Sequence, residues 1–191
     1  YFTIIKYLYN NHNIVIPEIP GISFIKIQDR PPSPHQIIDD VQDFIINKYT
    51  NGKSDSDTKI NLMGHSLGST MCSAYINKYP KYVNNFFCIE GHIFFPRALR
   101  IYSDFEKSIY QIPKEDFMTV LLFHRDLYVQ YFIRRLNIDS VFLYDMNEDK
   151  KNIKIHMYHA ESDERLLIKP QIDYAKKKKI EVTYHLFDGN Y

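Results

Sequence analysis

The residues best suited to chemistry in this sequence are Gly-His-Ser-Leu-Gly at positions 64–68, which match the pattern Gly-x-Ser-x-Gly. The pattern alone is weak evidence, because three fixed positions in five occur often by chance. Its surroundings strengthen it. A strand is predicted before it over Lys59–Met63, and a helix after it to about Lys78, since Pro80 stops the helix. A strand, a tight turn and a helix are the context of a nucleophilic serine, so we predict that Ser66 is the nucleophile.

The other residues of this turn have predicted roles of their own. We expect side chains at Gly64 and Gly68 to collide, because backbone approaches backbone closely in such a turn. The backbone N–H of Leu67 would point at the oxyanion of a tetrahedral intermediate, at the positive end of the helix. His65 can line the pocket but is not placed to act as the base. The alternative interpretation is an ordinary strand-to-helix turn in which Ser66 caps the helix.

A nucleophilic serine requires a base to take its proton and a carboxylate to orient that base. In sites built on this turn the order along the chain is serine, acid, histidine, and the acid follows a later strand. Asp163 comes shortly after a strand predicted over Ile153–Tyr158, and we predict it to be the acid. Glu161, which is nearer the strand end, and Glu90, at the end of the preceding strand, are alternatives. A different interpretation is that Asp163 only caps the following helix and has no catalytic role.

The base is expected in the loop after the last strand, which is predicted to end at Phe187, four residues before Tyr191. His185 lies inside that strand and is interpreted as a strand residue. The other histidines lie in the turn, in loops, at a helix start, on the Asp163 strand or in an insertion, where a lone histidine is more often structural. We therefore expect the base to be a histidine just beyond Tyr191, in a chain trimmed at both ends.

The elements that would position these residues alternate between strands and helices. Five strands are predicted, over Asn13–Pro17, Lys59–Met63, Val83–Ile89, Ile153–Tyr158 and Ile180–Phe187. The alternation implies an α/β fold whose mainly parallel sheet has helices on both faces. Residues 91–152 carry no strand pattern and are predicted to form a helical cap insertion. Residues 1–191 are expected to form part of a single domain.

One helix of this alternation has a clear start. Ser33 can cap it, Pro34 suits the first helical position, and Gln36 can complete a capping box. Apolar residues then recur at helical spacing, and the helix is predicted to end near Tyr49, before Asn51 and Gly52.

Composition excludes several classes of protein. The chain has 191 residues, 45% hydrophobic and 25% charged, which is typical of a globular domain. A net charge of +1 argues against a dedicated nucleic-acid binder. No apolar stretch approaches the roughly 18 residues of a membrane-spanning helix. Cys72 and Cys88 are too few for a disulfide scaffold and are expected to be packed thiols, and the predicted chemistry needs no metal or cofactor.

Two weaker patterns leave alternatives open. Aromatic clusters in the insertion, such as Phe94-Phe95 and Tyr131-Phe132, would suit an apolar acyl chain, or they reflect ordinary helix packing. Lys176–Lys179 are interpreted as the solvated end of a helix, where cations favour the helix dipole. Contact with a membrane surface is the alternative for these lysines.

Together these residues resemble the α/β-hydrolase superfamily over nearly the whole chain. The sequence is similar in particular to a group of α/β hydrolases from fungi and other microbial eukaryotes, in the segments Val15–Ser23, 64–68, His124–Tyr128 and Phe187–Gly189. In that group the catalytic histidine follows the last of these segments within a few residues. The family's early strands and its His-Gly oxyanion loop, which supplies the second oxyanion N–H, would lie before Tyr1.

The residues and the resemblance predict a serine hydrolase that cleaves an ester by a Ser-His-Asp mechanism. The expected substrate is a small-molecule ester or lipid with an apolar acyl group, and no nucleic acid is expected as a partner. Two alternatives stay open. One is a catalytically inactive homologue that binds a ligand or partner. The other is an acyltransferase that uses the same site.

Overall fold

The computed structural model describes residues 2–18, 33–49, 58–91, 93–94, 143, 146–161 and 168–188. Within these ranges the chain forms four α-helices and four strands. In chain order they are α1 (Phe2–Leu8), α2 (Pro34–Tyr49), β1 (Ile60–His65), α3 (Leu67–Lys78), a 3-10 turn (Pro80–Tyr82), β2 (Val83–Ile89), β3 (Lys154–Ala160), α4 (Ile168–Lys177) and β4 (Val182–Phe187).

The four strands make one sheet in the order β1-β2-β3-β4, and all neighbours run parallel. Parallel neighbours require crossover connections, which α3 provides between β1 and β2 and α4 between β3 and β4. The prediction of a mainly parallel α/β sheet is confirmed. All four strands end at the same side of the sheet, which we call the carboxyl edge. Their last residues are His65, Ile89, Ala160 and Phe187.

The core lies against one face of this sheet. Phe86, Cys88 and Met157 are 0% exposed there, and Ile155 is 2% exposed. The same cluster contains buried residues from three helices: Ile38 and Ile45 of α2, Ala74, Tyr75 and Ile76 of α3, and Ala175 of α4. Burial of one such aliphatic side chain stabilises the fold by about 1.5–3 kcal/mol.

We call the opposite face of the sheet the second face. It carries a row of stacked aromatic rings. Phe87 stacks on His156 with ring centroids 5.1 Å apart, and His156 lies 5.8 Å from His185. Tyr158 stacks on His185 at 4.3 Å. The strand register brings these residues side by side, because alternate residues of neighbouring strands point the same way.

The start of α2 is the predicted capping box. The Ser33 N–H donates to Gln36 Oε1 at 2.7 Å, and the Gln36 N–H donates to Ser33 Oγ at 3.3 Å. The helix begins at Pro34 and ends at Tyr49, as predicted. Two donors at the helix start are satisfied reciprocally, which defines this boundary locally.

The predicted strand at Asn13–Pro17 is wrong. Residues 13–18 have no regular secondary structure, and Val15 and Ile16 are 39% and 61% exposed. A strand is stable only when a neighbouring strand pairs with its N–H and C=O groups. The part of the sheet that the structure describes offers this segment no such partner, so its apolar composition alone does not make a strand.

Strand boundaries differ from prediction by a few residues. β1 continues to His65 because Gly64 and His65 pair with Cys88 and Ile89. β3 likewise continues to Ala160, which pairs with Phe187. These extensions result from pairing with neighbouring strands, which the pattern of apolar residues does not predict.

Most of the predicted cap insertion, residues 91–152, lies outside the described residues. Its described ends meet, because the Leu143 N–H donates to Ile93 O at 2.7 Å. Ile93, Phe94 and Leu143 are each 0% exposed. The two ends of the interval are thus packed in the core beside α4. Among the helices that the structure describes, none has the length and apolar character needed to cross a membrane.

Candidate active site

The turn at Ser66 is the centre of the candidate site. Ser66 is the single residue between β1 and α3, with φ 50° and ψ −119°. A positive φ is uncommon for a residue other than glycine and is kept only where the surroundings impose it. Here the Ser66 N–H donates to Ile89 O at 3.0 Å, and the Ser69 N–H donates to Ser66 O at 2.9 Å. The Ser66 side chain makes no capping hydrogen bond to the start of α3, which the structure describes in full.

The two glycines of the pattern behave differently. A Cβ on Gly64 would lie 2.5 Å from Gly68 O and 2.6 Å from Ser69 N, so the predicted collision is confirmed at this position. The prediction is wrong for Gly68, where a Cβ would meet no heavy atom of the described residues within 4 Å. Gly68 contributes its backbone to the close contact, while its own α-hydrogens point away from it.

A buried serine and a third glycine complete the packing below the turn. Ser69 is 0% exposed, and its hydroxyl donates to Gly64 O at 2.7 Å. A Cβ on Gly91 would lie 2.3 Å from Ser69 Cβ, so only glycine fits there. Sequence analysis missed this contact. The available signal was a glycine placed just after a predicted strand.

Leu67 and His65 flank the serine at the carboxyl edge. Leu67 is the first residue of α3, so its N–H has no acceptor within the helix and lies at the positive end of the helix dipole. His65 pairs with Ile89 and shares the second face with it. Partial burial lowers the pKa of His65, because the charged imidazolium is less well solvated there.

Asp163, the predicted acid, lies outside the described residues. The structure describes the chain up to Glu161, an exposed residue whose N–H donates to Phe187 O at 3.1 Å. Glu161, the residue directly after β3, thus lies beside the end of β4. His185 is a strand residue of β4, as predicted, and its ring lies on the second face.

Glu90 brings a second carboxylate to this edge. It is 4% exposed and has a positive φ of 45°. Its Oε1 accepts a hydrogen bond from the Ala160 N–H at 2.7 Å, and its Oε2 lies 3.3 Å from Nδ1 of His159, which is 0% exposed. The sequence singled out Glu90 as an alternative acid, but not its contacts with the end of β3.

Gln171 of α4 forms hydrogen bonds with the residues that follow β2. It is 1% exposed; its Oε1 accepts from the Ile93 N–H at 3.1 Å, and its Nε2 donates to Gly91 O at 3.2 Å. Sequence analysis missed this residue, because a glutamine on a helix gives no sign of being buried.

The two cysteines are free thiols, as predicted. Burial raises the pKa of both Cys72 and Cys88 to about 12, since the thiolate would lose its hydration. Both stay protonated at neutral pH and are poor nucleophiles. Among the described residues, no group of three or more His, Cys, Asp or Glu side chains could hold a metal ion.

No protein-family model and no curated protein matches this sequence. Solved structures do match it. A candidate lipase, Lip1, from Acinetobacter baumannii AYE has a TM-score of 0.61 and 19% identity over 94% of this chain and 69% of its own. MGS-M2, an α/β hydrolase enzyme from a Medee basin deep-sea metagenome library, has a TM-score of 0.65 and 13% identity over 98% of this chain and 75% of its own.

A bacterial membrane phospholipase A also matches, with a TM-score of 0.58 and 14% identity over 90% of this chain. The chain spans 61% of the length of that protein, and 64% of the length of a Nitrososphaera gargenis carboxylesterase structure. At identities of 13–19%, this likeness shows a shared fold.

Proposed function

From the α/β-hydrolase fold of this chain we infer that it is a serine hydrolase with Ser66 as its nucleophile. The observation that carries the proposal is the strained backbone of Ser66, at φ 50° and ψ −119° between β1 and α3. Such a turn is the nucleophile elbow of this fold, in which the hydroxyl is raised above the sheet. The close approach of Gly64 to the Gly68 backbone supports it, because only that packing lets α3 start so near the strand.

The reaction we propose is acyl transfer to Ser66 followed by hydrolysis. The base removes the proton of the Ser66 hydroxyl as Oγ attacks the ester carbonyl carbon. The Leu67 N–H, at the positive end of α3, stabilises the oxyanion. The base then protonates the departing alcohol, which leaves an acyl-enzyme. Water then attacks the carbonyl carbon of the acyl-enzyme as the base takes one of its protons. The base returns this proton to Ser66 Oγ as the acyl–Oγ bond breaks, so that the carboxylic acid is released and the free enzyme is restored.

We propose that the base is a histidine C-terminal to Tyr191 and that Asp163 orients it. The position of Glu161 beside the end of β4 supports this, because the segment to Asp163 then starts next to the strand that the base would follow. Glu90 is the less suitable acid. Both of its carboxylate oxygens already contact β3: one accepts a hydrogen bond from the Ala160 N–H, and the other lies near His159 Nδ1.

The substrate we propose is a small-molecule ester or lipid with an apolar acyl group. Residues 91–152 would form the cap over Ser66, within the same domain. The buried apolar residues Ile93, Phe94 and Leu143 at the two ends of this interval support a cap that packs on the carboxyl edge. A candidate lipase and a bacterial membrane phospholipase A are among the proteins of solved structure that share the fold.

Labelling of the natural full-length protein with a fluorophosphonate, read by intact mass, tests the nucleophile. The wild type should gain the mass of one phosphonyl group, and Ser66→Ala should gain none while keeping its fold. Ser73→Ala is a matched control on the same helix, because the Ser73 hydroxyl donates to Ser69 O at 3.0 Å and lies two helical turns from Ser66. It should label like the wild type.

Labelling of Ser66→Ala would contradict the assignment. A folded wild type that does not label would favour the inactive, ligand-binding homologue. With a labelled enzyme, an assay in which an added alcohol competes with water distinguishes hydrolysis from acyl transfer.

A further inference from the structure

We propose that Glu90 is a positioning residue: its carboxylate holds the end of β3, and so sets the place of the Asp163 segment relative to Ser66. The inference rests on the proposed function and deepens it. Glu90 would touch neither the substrate nor the reacting atoms. It would act through the segment that begins after Ala160.

Glu90 contacts three consecutive residues at the end of β3: Tyr158, His159 and Ala160. We call these four residues the Glu90 clamp. The Glu90 N–H donates to Tyr158 O at 2.9 Å. Its Oε2 lies 3.3 Å from His159 Nδ1, and its Oε1 accepts from the Ala160 N–H at 2.7 Å. The last two of these contacts are made by the Glu90 side chain. A substitution can therefore remove them without changing the strand pairing.

The burial of the clamp makes its geometry restrictive. Glu90 is 4% exposed and His159 is 0% exposed. A carboxylate out of water is unfavourable unless hydrogen bonds and an opposite charge compensate for the lost hydration. The Glu90 backbone is also in the left-handed region, with φ 45°. Surrounding contacts must maintain this conformation, so the carboxylate has little freedom to take another position.

The clamp is directly connected to the nucleophile. The Ser66 N–H donates to the carbonyl of Ile89, the residue before Glu90, at 3.0 Å. On the other side, Ala160 precedes Asp163 by three residues, and the Glu161 N–H donates to Phe187 O at 3.1 Å. A shift of Ala160 would therefore move the start of the segment that carries the proposed acid relative to Ser66. A misplacement of about 1 Å in such a site can lower the rate about 100-fold.

The test uses the natural full-length protein with Glu90→Gln, Glu90→Ala, Asp163→Asn and a control, Glu181→Gln, which removes an exposed carboxylate directly before β4, at the opposite edge of the sheet. Turnover of a p-nitrophenyl ester and the rate of Ser66 phosphonylation are measured against pH. Peptide-level hydrogen exchange reports on the Ala160 amide.

Glu90→Ala should lower kcat by about 10–100-fold with little change in KM, because the substrate contacts are retained. Glu90→Gln should recover part of the loss, since its Oε1 can still accept from the Ala160 N–H. In both variants the acid limb of kcat/KM should move to lower pH, because a displaced Asp163 stabilises the protonated base less. Exchange should accelerate in peptides that contain Ala160 and stay unchanged in α3.

Each other outcome overturns the inference in a recognisable way. Unchanged exchange at Ala160 would show that the clamp does not hold β3. Faster exchange with an unmoved acid limb would make the role of Glu90 structural only. A loss of activity in Glu90→Gln together with an active Asp163→Asn would make Glu90 the acid itself. A wild type that neither labels nor turns over would refute the proposed function first, and the inference with it.

Discussion

Gly64 and Gly68 are equivalent in the sequence pattern but not in the folded chain. At Gly64 a methyl group would lie 2.5 Å from Gly68 O, whereas at Gly68 it would meet no described atom within 4 Å. The difference arises because the α3 backbone at Gly68 and Ser69 lies against the Cα of Gly64. At the scale of single residues, packing direction decides which glycine the turn requires.

We predict that Gly64→Ala destabilises the protein by about 1–3 kcal/mol, since the backbone must shift to admit the methyl group. Gly68→Ala should be tolerated, or should stabilise the helix by about 0.5–1 kcal/mol, because alanine has the better helix propensity. The free energy of unfolding in urea measures both. Equal stability of the two variants would contradict the packing described for the turn.

At the scale of elements, buried polar contacts join segments that are far apart in the chain. Gln171 of α4 accepts from the buried Ile93 N–H and donates to Gly91 O, which also accepts from the Cys88 thiol. Helix α2, in contrast, is defined within its own first turn by Ser33 and Gln36. One element thus depends on a distant side chain and the other on its neighbours.

Gln171→Leu should lower the free energy of unfolding by about 1–3 kcal/mol for each backbone group that loses its partner. Asp173→Asn, an exposed change on the same helix, is the control and should have little effect. Unfolding in urea measures the difference, and a Gln171→Leu variant as stable as the control would argue against this contact.

Ser33→Ala should destabilise the protein by about 1 kcal/mol through the loss of the cap on α2. Ser33→Asp should retain most of the stability, because its carboxylate can accept from the Gln36 N–H. Thermal unfolding compares the three proteins. Identical midpoints for Ser33→Ala and the wild type would show that the capping box contributes nothing in solution.

At the scale of the whole molecule, the second face gives stability a dependence on pH. Burial, followed by the nearby His185 and Lys154, lowers the pKa of His156, and burial lowers that of His65. Each histidine then binds its proton more weakly in the folded chain than in the unfolded chain, where the pKa is near 6.5. Between the two pKa values the unfolded chain holds more protons, so the free energy of unfolding falls as the pH is lowered through this range.

We therefore expect the urea midpoint to decrease as the pH falls below about 6.5. His156→Phe should show a smaller decrease, because phenylalanine keeps the ring beside Phe87 and cannot be protonated. Measurements are kept above pH 5, where Asp39, with a pKa that its hydrogen bond to Lys78 lowers, stays ionised. An unchanged slope in His156→Phe would remove this residue as a source of the effect.

The sequence by itself determined the features whose causes are local. The capping box sets the start of α2, Pro80 follows the end of α3, and β2 has the predicted bounds Val83–Ile89. The Ser66 turn belongs to this group, since strand, glycine, serine and helix follow one another within a few residues. Capping, proline and apolar spacing act over one or two helical turns, so a pattern can reveal them.

Only the tertiary structure decided the features that join distant residues. Glu90 meets Ala160 across 70 positions, and Gln171 meets Ile93 across 78. The segment Asn13–Pro17, apolar enough for a strand, is not one, because a strand also needs a partner. A side chain's contacts across the fold depend on the register and packing of several elements at once, and no short stretch of sequence contains that information.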